Sequence, residues 1–299
     1  MTALGDLSWP EAERLAAAGA MLAVPVGSTE QHGPHLPLST DTDVAVALAA
    51  RLAARRGDVV VAPPVGYGSS GEHAGFAGTL SIGQEALELM LLELGRSAAG
   101  TFGQILVVCA HGGNREPAAR AVARLCAEST DALLWMTGGV LAGGTGSGDA
   151  GAGARSDGAG AGISPACMPG GWRGRRQPPR RSIGVAVAIR SLRLNGRRPV
   201  SGSRLPVAPA DAHAGRTETA IQLALDPGRV RMALAEPGNP APVAELMPLL
   251  RAAGVRAASR NGVLGDPAGA SATEGAALLE ALTADLLSTV AGWRRPVPR

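Results

Sequence analysis

Short, almost wholly apolar segments that alternate with amphipathic segments constrain the fold of this 299-residue chain most strongly. The segments predicted as strands are residues 20–27, 58–62, 104–110 and 132–136. Helical spacing of apolar residues predicts helices over 40–56, 84–96 and 115–128, and later near 217–225, 243–253 and 273–291. Strands this apolar are buried on both faces, as in a parallel sheet covered by helices on both sides. We therefore expect an α/β protein with a mostly parallel sheet.

One long segment breaks this alternation. Residues 141–204 begin with a Gly/Ala/Ser-rich run and continue with an Arg/Pro/Gly-rich run. Such a composition buries too little apolar surface to offset the entropy cost of ordering it. Alternating Ile and Val over 183–189 predict at most one short strand there. We expect a single domain made of 1–140 and 205–299, with 141–204 as a largely disordered insertion.

The distribution of charge argues against a nucleic-acid partner. The formal net charge of +3 comes from arginine alone, because the chain has no lysine. Residues 141–204 hold eleven Arg and two Asp, a net +9, whereas the other 235 residues hold 17 Arg and 23 acids, a net −6. The basic segment also lacks interleaved aromatic residues apart from Trp172. The alternative is an arginine-rich binding protein with a vestigial enzyme core, which predicts salt-dependent nucleic-acid affinity.

Three features predict a cytoplasmic protein without a membrane partner. The first ten residues carry Asp6 and no basic residue before an apolar run, unlike a secretory signal. No uncharged apolar run reaches the roughly 18 residues that a membrane span needs. The three cysteines, Cys109, Cys126 and Cys167, are too few and too odd in number for a disulfide framework.

The longest polar motif directly follows the strand predicted at 20–27. It reads Gly-Ser-Thr-Glu-Gln-His-Gly-Pro-His-Leu-Pro-Leu-Ser-Thr-Asp over residues 27–41. Glu30 and His32 are two residues apart and so share one side of an extended chain, and the intervening turn residues bring Asp41 back. Carboxylates and imidazoles together bind divalent metals. The simpler alternatives are a surface role for Glu30 and a helix cap for Asp41.

Three further polar motifs carry the remaining candidates. His111 follows the strand at 104–110 within Cys-Ala-His-Gly-Gly-Asn, where a plain glycine turn with a capping Asn114 is the alternative. His213 and Glu218 lie within 211–219, where Glu218 is either a metal ligand or only a partner of the helix dipole. Residues 66–79 contain Glu72 and His73 and are typical of a pocket wall. Open parallel sheets place ligand sites at such strand ends.

Together these motifs resemble the creatininase family of metal-dependent amidohydrolases. The resemblance is carried by 27–41, by Gly-Glu-His-Ala-Gly-Phe-Ala-Gly-Thr, by His-Gly-Gly-Asn, by His-Ala-Gly-Arg-Thr-Glu-Thr, and by Gly-Val-Leu-Gly-Asp-Pro at 262–267. It covers about residues 20–136 and 205–292. It implies a three-layer α/β/α domain, a two-metal site and a homo-oligomer, commonly a hexamer.

The resemblance also implies roles for individual residues. The metal ligands would be Glu30, His32, Asp41, His111 and Glu218, with Asp41 bridging the two ions. His213 matches the acid/base histidine of the family, and Glu72 or His73 would assist it. Creatinine hydrolases carry a Glu two residues after the histidine matched by His111, but this chain has Gly113 there. Glu218 is expected to replace that ligand.

The reaction implied is hydrolysis of an amide by metal-activated water. Two divalent ions (Fe, Zn or Mn) lower the pKa of water toward neutrality, so no Ser or Cys nucleophile is needed. Within the family the similarity is greatest to peptidases that cleave near the C-terminus of a modified precursor peptide and release the core of a redox cofactor. The alternative substrate is a small cyclic amide, creatinine or a formamide-type compound, and Gly113 argues against creatinine itself.

Overall fold

Six parallel strands form the centre of the fold in the computed structural model, which describes residues 1–137, 200–202 and 211–293. They are β1 (Thr2–Ala3), β2 (Met21–Val26), β3 (Val59–Val61), β4 (Gln104–Cys109), β5 (Asp131–Met136) and β6 (Val200–Gly202). Their order across the sheet is β1-β3-β2-β4-β5-β6, and every neighbouring pair is parallel. The predicted parallel sheet is confirmed.

Helices occupy both faces of this sheet. The helices of the described residues are α1 (Trp9–Ala17), α2 (Thr40–Arg55), α3 (Gln84–Ala99), α4 (Arg115–Ala127), α5 (Arg216–Leu225), α6 (Val243–Ala253), α7 (Val255–Ala258) and α8 (Ala272–Trp293). Of these, α6 and α7 pack against each other and against the 3-10 turn at Gly71–His73. All six predicted helices are present with small changes at their ends. The strands β1 and β6 and the helices α1 and α7 were not predicted, because each is short or marked by few apolar residues.

Alternate residues of each central strand point into two separate cores. On β2, Leu22 and Val24 pack with α3 and α4, while Met21 and Ala23 pack with α2, α5 and α8. β4 and β5 alternate in the same way. Burial of each large aliphatic side chain contributes about 1.5–3 kcal/mol, so the two cores stabilise a three-layer α/β/α arrangement.

The order of the strands creates a crevice between β2 and β4. From β2 the chain passes through α2 to β3 on one side of the sheet, and it later enters β4 on the other side of β2. At such a reversal of strand order, the loops leaving the two carboxyl ends diverge and leave room for a ligand. The polar motifs after β2 and β4 therefore face the same crevice.

The long helix α8 lies against this core. Among the described residues it is the one helix with the length and apolar composition that a membrane span would need. Its Leu279, Leu286 and Val290 are fully buried against α2, α5 and the sheet. A core helix of an α/β fold has the same composition, and here the packing accounts for it.

Most of the segment 141–204 lies outside the described residues, including the strand predicted near 183–189. Its C-terminal part contains β6, which pairs with Leu134–Met136 of β5 at the edge of the sheet. The two cores, the helices and the other five strands come from residues on either side of that segment.

We expect Gly275→Ala to destabilise the fold by about 1–3 kcal/mol, since α8 crosses the backbone of α5 at this glycine. A Cβ there would overlap the Ala220 carbonyl and lie 2.8 Å from the Ile221 nitrogen. Urea unfolding measures the change in the free energy of unfolding.

The matched control is Gly292→Ala in the same helix, where a Cβ would meet nothing within 4 Å. It should be neutral or stabilise the protein by up to about 1 kcal/mol through helix propensity. Equal effects of the two substitutions would show that α8 does not pack on α5 in this way.

Candidate active site

The structure brings all eight predicted site residues together at the carboxyl end of the sheet. Loops after β2 and β4 carry three of them, the first turns of α2 and α5 carry two, and a short 3-10 turn at Gly71–His73 and the loop before α5 carry the rest. They are Glu30, His32, Asp41, Glu72, His73, His111, His213 and Glu218. Glu72 and Glu218 are partly exposed and the other six are buried.

Asp41 lies between two histidines and faces each with a different oxygen. Its Oδ1 is 3.3 Å from Nε2 of His32, and its Oδ2 is 3.2 Å from Nδ1 of His111. Glu30 Oε1 is also 3.2 Å from Nδ1 of His111, and Glu218 Oε2 is 3.8 Å from Nε2 of His32. Two groups of donor atoms thus meet at the Asp41 carboxylate: one contains His32 and Glu218, and the other contains His111 and Glu30.

Backbone carbonyls fix the orientation of three histidine rings. The ring N–H groups donate as follows: Nδ1 of His32 to Glu30 at 3.2 Å, Nε2 of His111 to Ser69 at 3.1 Å, and Nε2 of His213 to Gln31 at 2.8 Å. When the rings are neutral, this assignment leaves the second nitrogen of each ring without a proton and facing carboxylates. Histidines that bind metals are typically held by such a hydrogen bond from the other ring nitrogen.

The cluster needs positive charge, carried by ring protons or by a metal cation. Both carboxylate oxygens of Glu30, Oδ2 of Asp41 and Nε2 of His32 are buried and make no hydrogen bond. Burying polar atoms without a partner is costly, and a lone pair facing a carboxylate is repulsive. Carboxylate oxygens and imidazole nitrogens at these separations are the donor set of a divalent metal site.

The buried carboxylates also shift the pKa values of the histidines that face them. Burial disfavours a charged His32, yet Asp41, Glu218 and Glu30 raise its pKa from 6.5 to about 10. The pKa of His111 is likewise raised well above 6.5 because the attraction of Glu30 and Asp41 exceeds the effect of burial. Burial raises the pKa of Glu218 to about 7. In the absence of a metal, the carboxylates therefore retain protons on their neighbours.

His213 and His73 have the opposite environment. Burial, together with neighbouring histidines, lowers the pKa of His213 well below 6.5 and that of His73 to about 4. The two ring centroids are 4.5 Å apart. Nδ1 of His213 is 3.9 Å from Glu30 Oε1 and 4.0 Å from Glu218 Oε2, so it faces two carboxylates of the cluster.

Gly113 has no room for a side chain. A Cβ there would lie 2.5 Å from both Oε1 of Glu72 and Nε2 of His111. Glu72 Oε1 is 3.7 Å from the same His111 nitrogen, and burial raises the pKa of its carboxyl group. Glu72 therefore lies beside Gly113 and His111, whereas Glu218 lies beside His32.

Two structural residues of the site were not recognised in the sequence. Asn114 takes the predicted N-cap position of α4, but its side chain makes no capping hydrogen bond. Its Oδ1 accepts from the Ser69 nitrogen and its Nδ2 donates to the Gly27 carbonyl, joining two loops of the site. Gln31 lies between His73 and His213. Both residues stand inside the polar motifs, which was the available signal.

The fold and this cluster define a metal-dependent hydrolase. The family model described as "Creatininase: Creatinine amidohydrolase" matches residues 5–290. The "Mycofactocin precursor peptide peptidase" of Mycolicibacterium smegmatis is 38% identical over 279 residues, covering 92% of this chain and 85% of that protein. The chain belongs to the creatininase family, as its motifs indicated.

Two other comparisons extend this result. The "Creatinine amidohydrolase" of Pseudomonas putida is 39% identical, but over only 85 residues, which are 26% of this chain and 32% of that protein. A solved structure described as "Creatininase Mn" has a TM-score of 0.64 at 20% identity and covers 99% of both chains. The latter confirms the fold.

Protein stripped of divalent ions by a chelator should lose stability as the pH rises from about 7 toward 10. The folded state raises the pKa of His32 from 6.5 to about 10, so above pH 6.5 the folded chain keeps a proton that the unfolded chain releases. That contribution is complete below the unfolded pKa and disappears as the pH passes through the folded value. Thermal unfolding across this range measures it.

Zinc added in excess is the control for this measurement. A bound cation replaces the proton, so the melting temperature should be higher and should depend less on pH over the same range. A chelated protein whose melting temperature stays level or rises between these pH values would contradict the electrostatic description of the cluster.

Proposed function

We propose that this protein hydrolyses an amide bond near the C-terminus of the modified mycofactocin precursor peptide and releases the core that becomes a redox cofactor. The observation that carries the proposal is the set of carbonyl-tethered histidines facing buried carboxylates, in a chain 38% identical to a peptidase named for that substrate. Hydrolysis of an amide needs water activation and a proton for the leaving amine, and the cluster supplies groups for both.

Two divalent ions would share Asp41. One would be held by Glu30, Asp41 and His111, whose donor atoms lie within 4.8 Å of one another. The other would be held by His32, Asp41 and Glu218, which lies beside His32 on the other side of Asp41. Iron, zinc and manganese all accept such mixed oxygen and nitrogen ligands.

When bound, the ions would lower the pKa of water and polarise the amide carbonyl. His213 would transfer the proton that the leaving amine needs. Its Nε2–H is held by the Gln31 carbonyl, so Nδ1 is the atom that accepts a proton and returns it to the leaving amine. Because the pKa of His213 is low, the ring is neutral at neutral pH and ready to act as a base.

His73 and Glu72 would assist at the edge of the cluster. His73 Nε2 is 3.4 Å from Glu30 Oε1, close to the atoms that hold the first ion. The side chain of Glu72 is a third exposed, so a substrate can reach its carboxyl group from solvent. Its raised pKa suits a carboxyl group that exchanges a proton with substrate.

Hydrolysis of creatinine or another small cyclic amide is the weaker alternative. Gly113 replaces the glutamate of the creatinine hydrolases, and Glu72 and His111 fill the space that its side chain would need. The match to the Pseudomonas putida enzyme also covers only 26% of this chain, against 92% for the peptidase.

A cytoplasmic location and assembly into a homo-oligomer such as a hexamer belong to the same proposal. Cys109 and Cys126 are free thiols, which is consistent with a reducing compartment. Light scattering of the purified protein measures the assembly.

Asp41→Asn should remove both ions, and Glu30→Gln should remove mainly one, because only Asp41 faces both groups of donors. Both substitutions are expected to abolish hydrolysis while the protein stays folded. Elemental analysis counts metal per chain, and circular dichroism checks the fold.

The control is Glu85→Gln, an exposed acid in the first turn of α3 that lies outside the cluster. It should keep the metal content and the activity of the unchanged protein. Retained turnover in either cluster variant would refute the assignment of the ligands.

A substrate panel separates the two functions. The metal-loaded protein should cleave the modified precursor peptide and leave creatinine unchanged, with products identified by mass spectrometry. The unmodified precursor peptide is the control for recognition of the modified end. Turnover of creatinine at a rate comparable to that of the peptide would favour the alternative.

A further inference from the structure

The side chain of Gln31 is held at three points. It is 95% buried behind the metal-binding cluster. Its Oε1 accepts from the backbone nitrogen of Gly33 at 2.9 Å, and its Nε2 donates to the carbonyl of Gly262 at 3.1 Å. The same Nε2 lies 2.9 Å from Nδ1 of His73 and 3.1 Å from Nε2 of His213. Nε2 of His213 donates its own proton to the Gln31 carbonyl, so the second amide hydrogen of Gln31 is left for His73.

The two glycine backbones decide which end of the amide faces His73. An N–H group needs an acceptor and a carbonyl needs a donor, so the amide oxygen must face Gly33 and the amide nitrogen must face Gly262. The reversed amide would set two donors against each other at Gly33 and two acceptors against each other at Gly262. Nδ1 of His73 therefore meets an N–H donor and has to act as the acceptor.

This hydrogen bond fixes the proton of the His73 ring. With Nδ1 accepting, the neutral ring carries its proton on Nε2, the atom 3.4 Å from Oε1 of Glu30. Glu30, His73 and His213 are close enough to one another to hold an ion together. A protonated Nε2 has no lone pair for an ion, so the tautomer decides between a ligand and a donor.

We propose that Gln31 is a positioning residue that holds His73 as the Nε2–H tautomer, so that His73 is a hydrogen-bond donor in the site and not a metal ligand. The tautomer follows from contacts within this chain, whereas its effect on turnover rests on the proposed amide hydrolysis. There, the N–H of His73 would stabilise negative charge that develops on the substrate oxygen.

Gly262 is the residue that makes room for this arrangement. Its φ is +82°, and a Cβ on it would overlap Oε1 of Gln31 and lie 2.5 Å from the amide carbon. Two residues later, Leu264 exchanges backbone hydrogen bonds with His213 at 2.8 Å and 3.1 Å. The motif at 262–267 thus supports both His73, through Gln31, and His213.

The first test is histidine-selective nitrogen-15 NMR of the zinc-loaded protein. The His73 signals are identified by their absence in His73→Gln. We expect Nε2 of His73 to carry the proton, and Gln31→Met, which is similar in shape but cannot donate, to convert that ring to a mixture of tautomers. The proposal fails if His73 is protonated at Nδ1, if its Nε2 binds zinc, or if Gln31→Met leaves the tautomer unchanged.

The second test uses kinetics and metal content. Gln31→Met should lower kcat by about 10- to 100-fold, approaching the loss typical when one donor to a developing oxyanion is removed, with KM and metal content nearly unchanged. Equal loss of metal and activity would instead show that Gln31 only supports the ligands. A kcat equal to that of the unchanged protein would show that the donor has no part in turnover.

Gly262→Ala should reproduce the kinetic defect, because the new methyl group displaces the Gln31 amide. The matched control is Gly19→Ala, at a similar φ of +84° but with nothing within 4 Å of the added carbon, so it introduces backbone strain alone. In the double variant Gln31→Met/Gly262→Ala, the second substitution should add little to the first. Independent, additive losses would overturn the link between the two residues.

The two kinds of failure are distinguishable. If the protein does not cleave the peptide, the proposed function falls, yet the NMR measurement still reports the tautomer of His73. If the peptide is cleaved but the tautomer is insensitive to Gln31, only the positioning role falls.

Discussion

The site depends on the hydrogen bonds between histidine rings and backbone carbonyls. Carboxylates gathered in a buried crevice repel one another, and they stay together only if nearby groups or ions supply positive charge. His32 and His111 each donate one ring N–H to a backbone carbonyl. In the neutral rings, the other nitrogen of each then faces an oxygen of Asp41, so a cation can bind between the nitrogen and the carboxylate. Backbone geometry, and so the fold itself, decides which nitrogen of each ring faces the carboxylates.

The sheet makes these carbonyls available. Parallel strands end at one edge, and the reversal of strand order between β2 and β4 leaves their loops free to turn inward. Asn114 then joins the loop after β2 to the loop containing Ser69, whose carbonyl holds His111. One side-chain amide thus fixes the carbonyl that holds the ring of His111, which precedes it by three residues in the loop after β4. Removing that amide would loosen the orientation of His111 without touching any candidate ligand.

Much of the fold could be read from the sequence because its signal is local. The strands at 20–27 and 104–110 are apolar over their whole length, and this reflects two-sided burial in the sheet. The predicted helices carried regular apolar spacing and clear end signals. By contrast, β1 has two residues, and its position beside β3 depends on pairing between distant segments. Patterns of alternation cannot reveal such a contact.

The same distinction applies to the site. Glu30, His32 and Asp41 stand in one continuous motif, and the motif alone suggested a metal cluster. The amide of Gln31 acquires its role only from Gly262 and His73, which are far from it along the chain, so its residue type carried no recognisable signal. Gly113 and Gly262 were visible as motif glycines. What they make room for, Glu72 in one case and Gln31 in the other, is a property of tertiary packing.

The order of the donors along the chain has a consequence for biosynthesis. Glu30, Asp41 and His111 all lie in the first half of the sequence, whereas His213 and Glu218 lie in the second half. During synthesis from the N-terminus, the elements that carry Glu30, Asp41 and His111 are therefore complete long before His213 and Glu218 emerge from the ribosome. β2, α2 and β4 can pack together early, and the cluster is completed only when α5 docks and brings Glu218 beside His32.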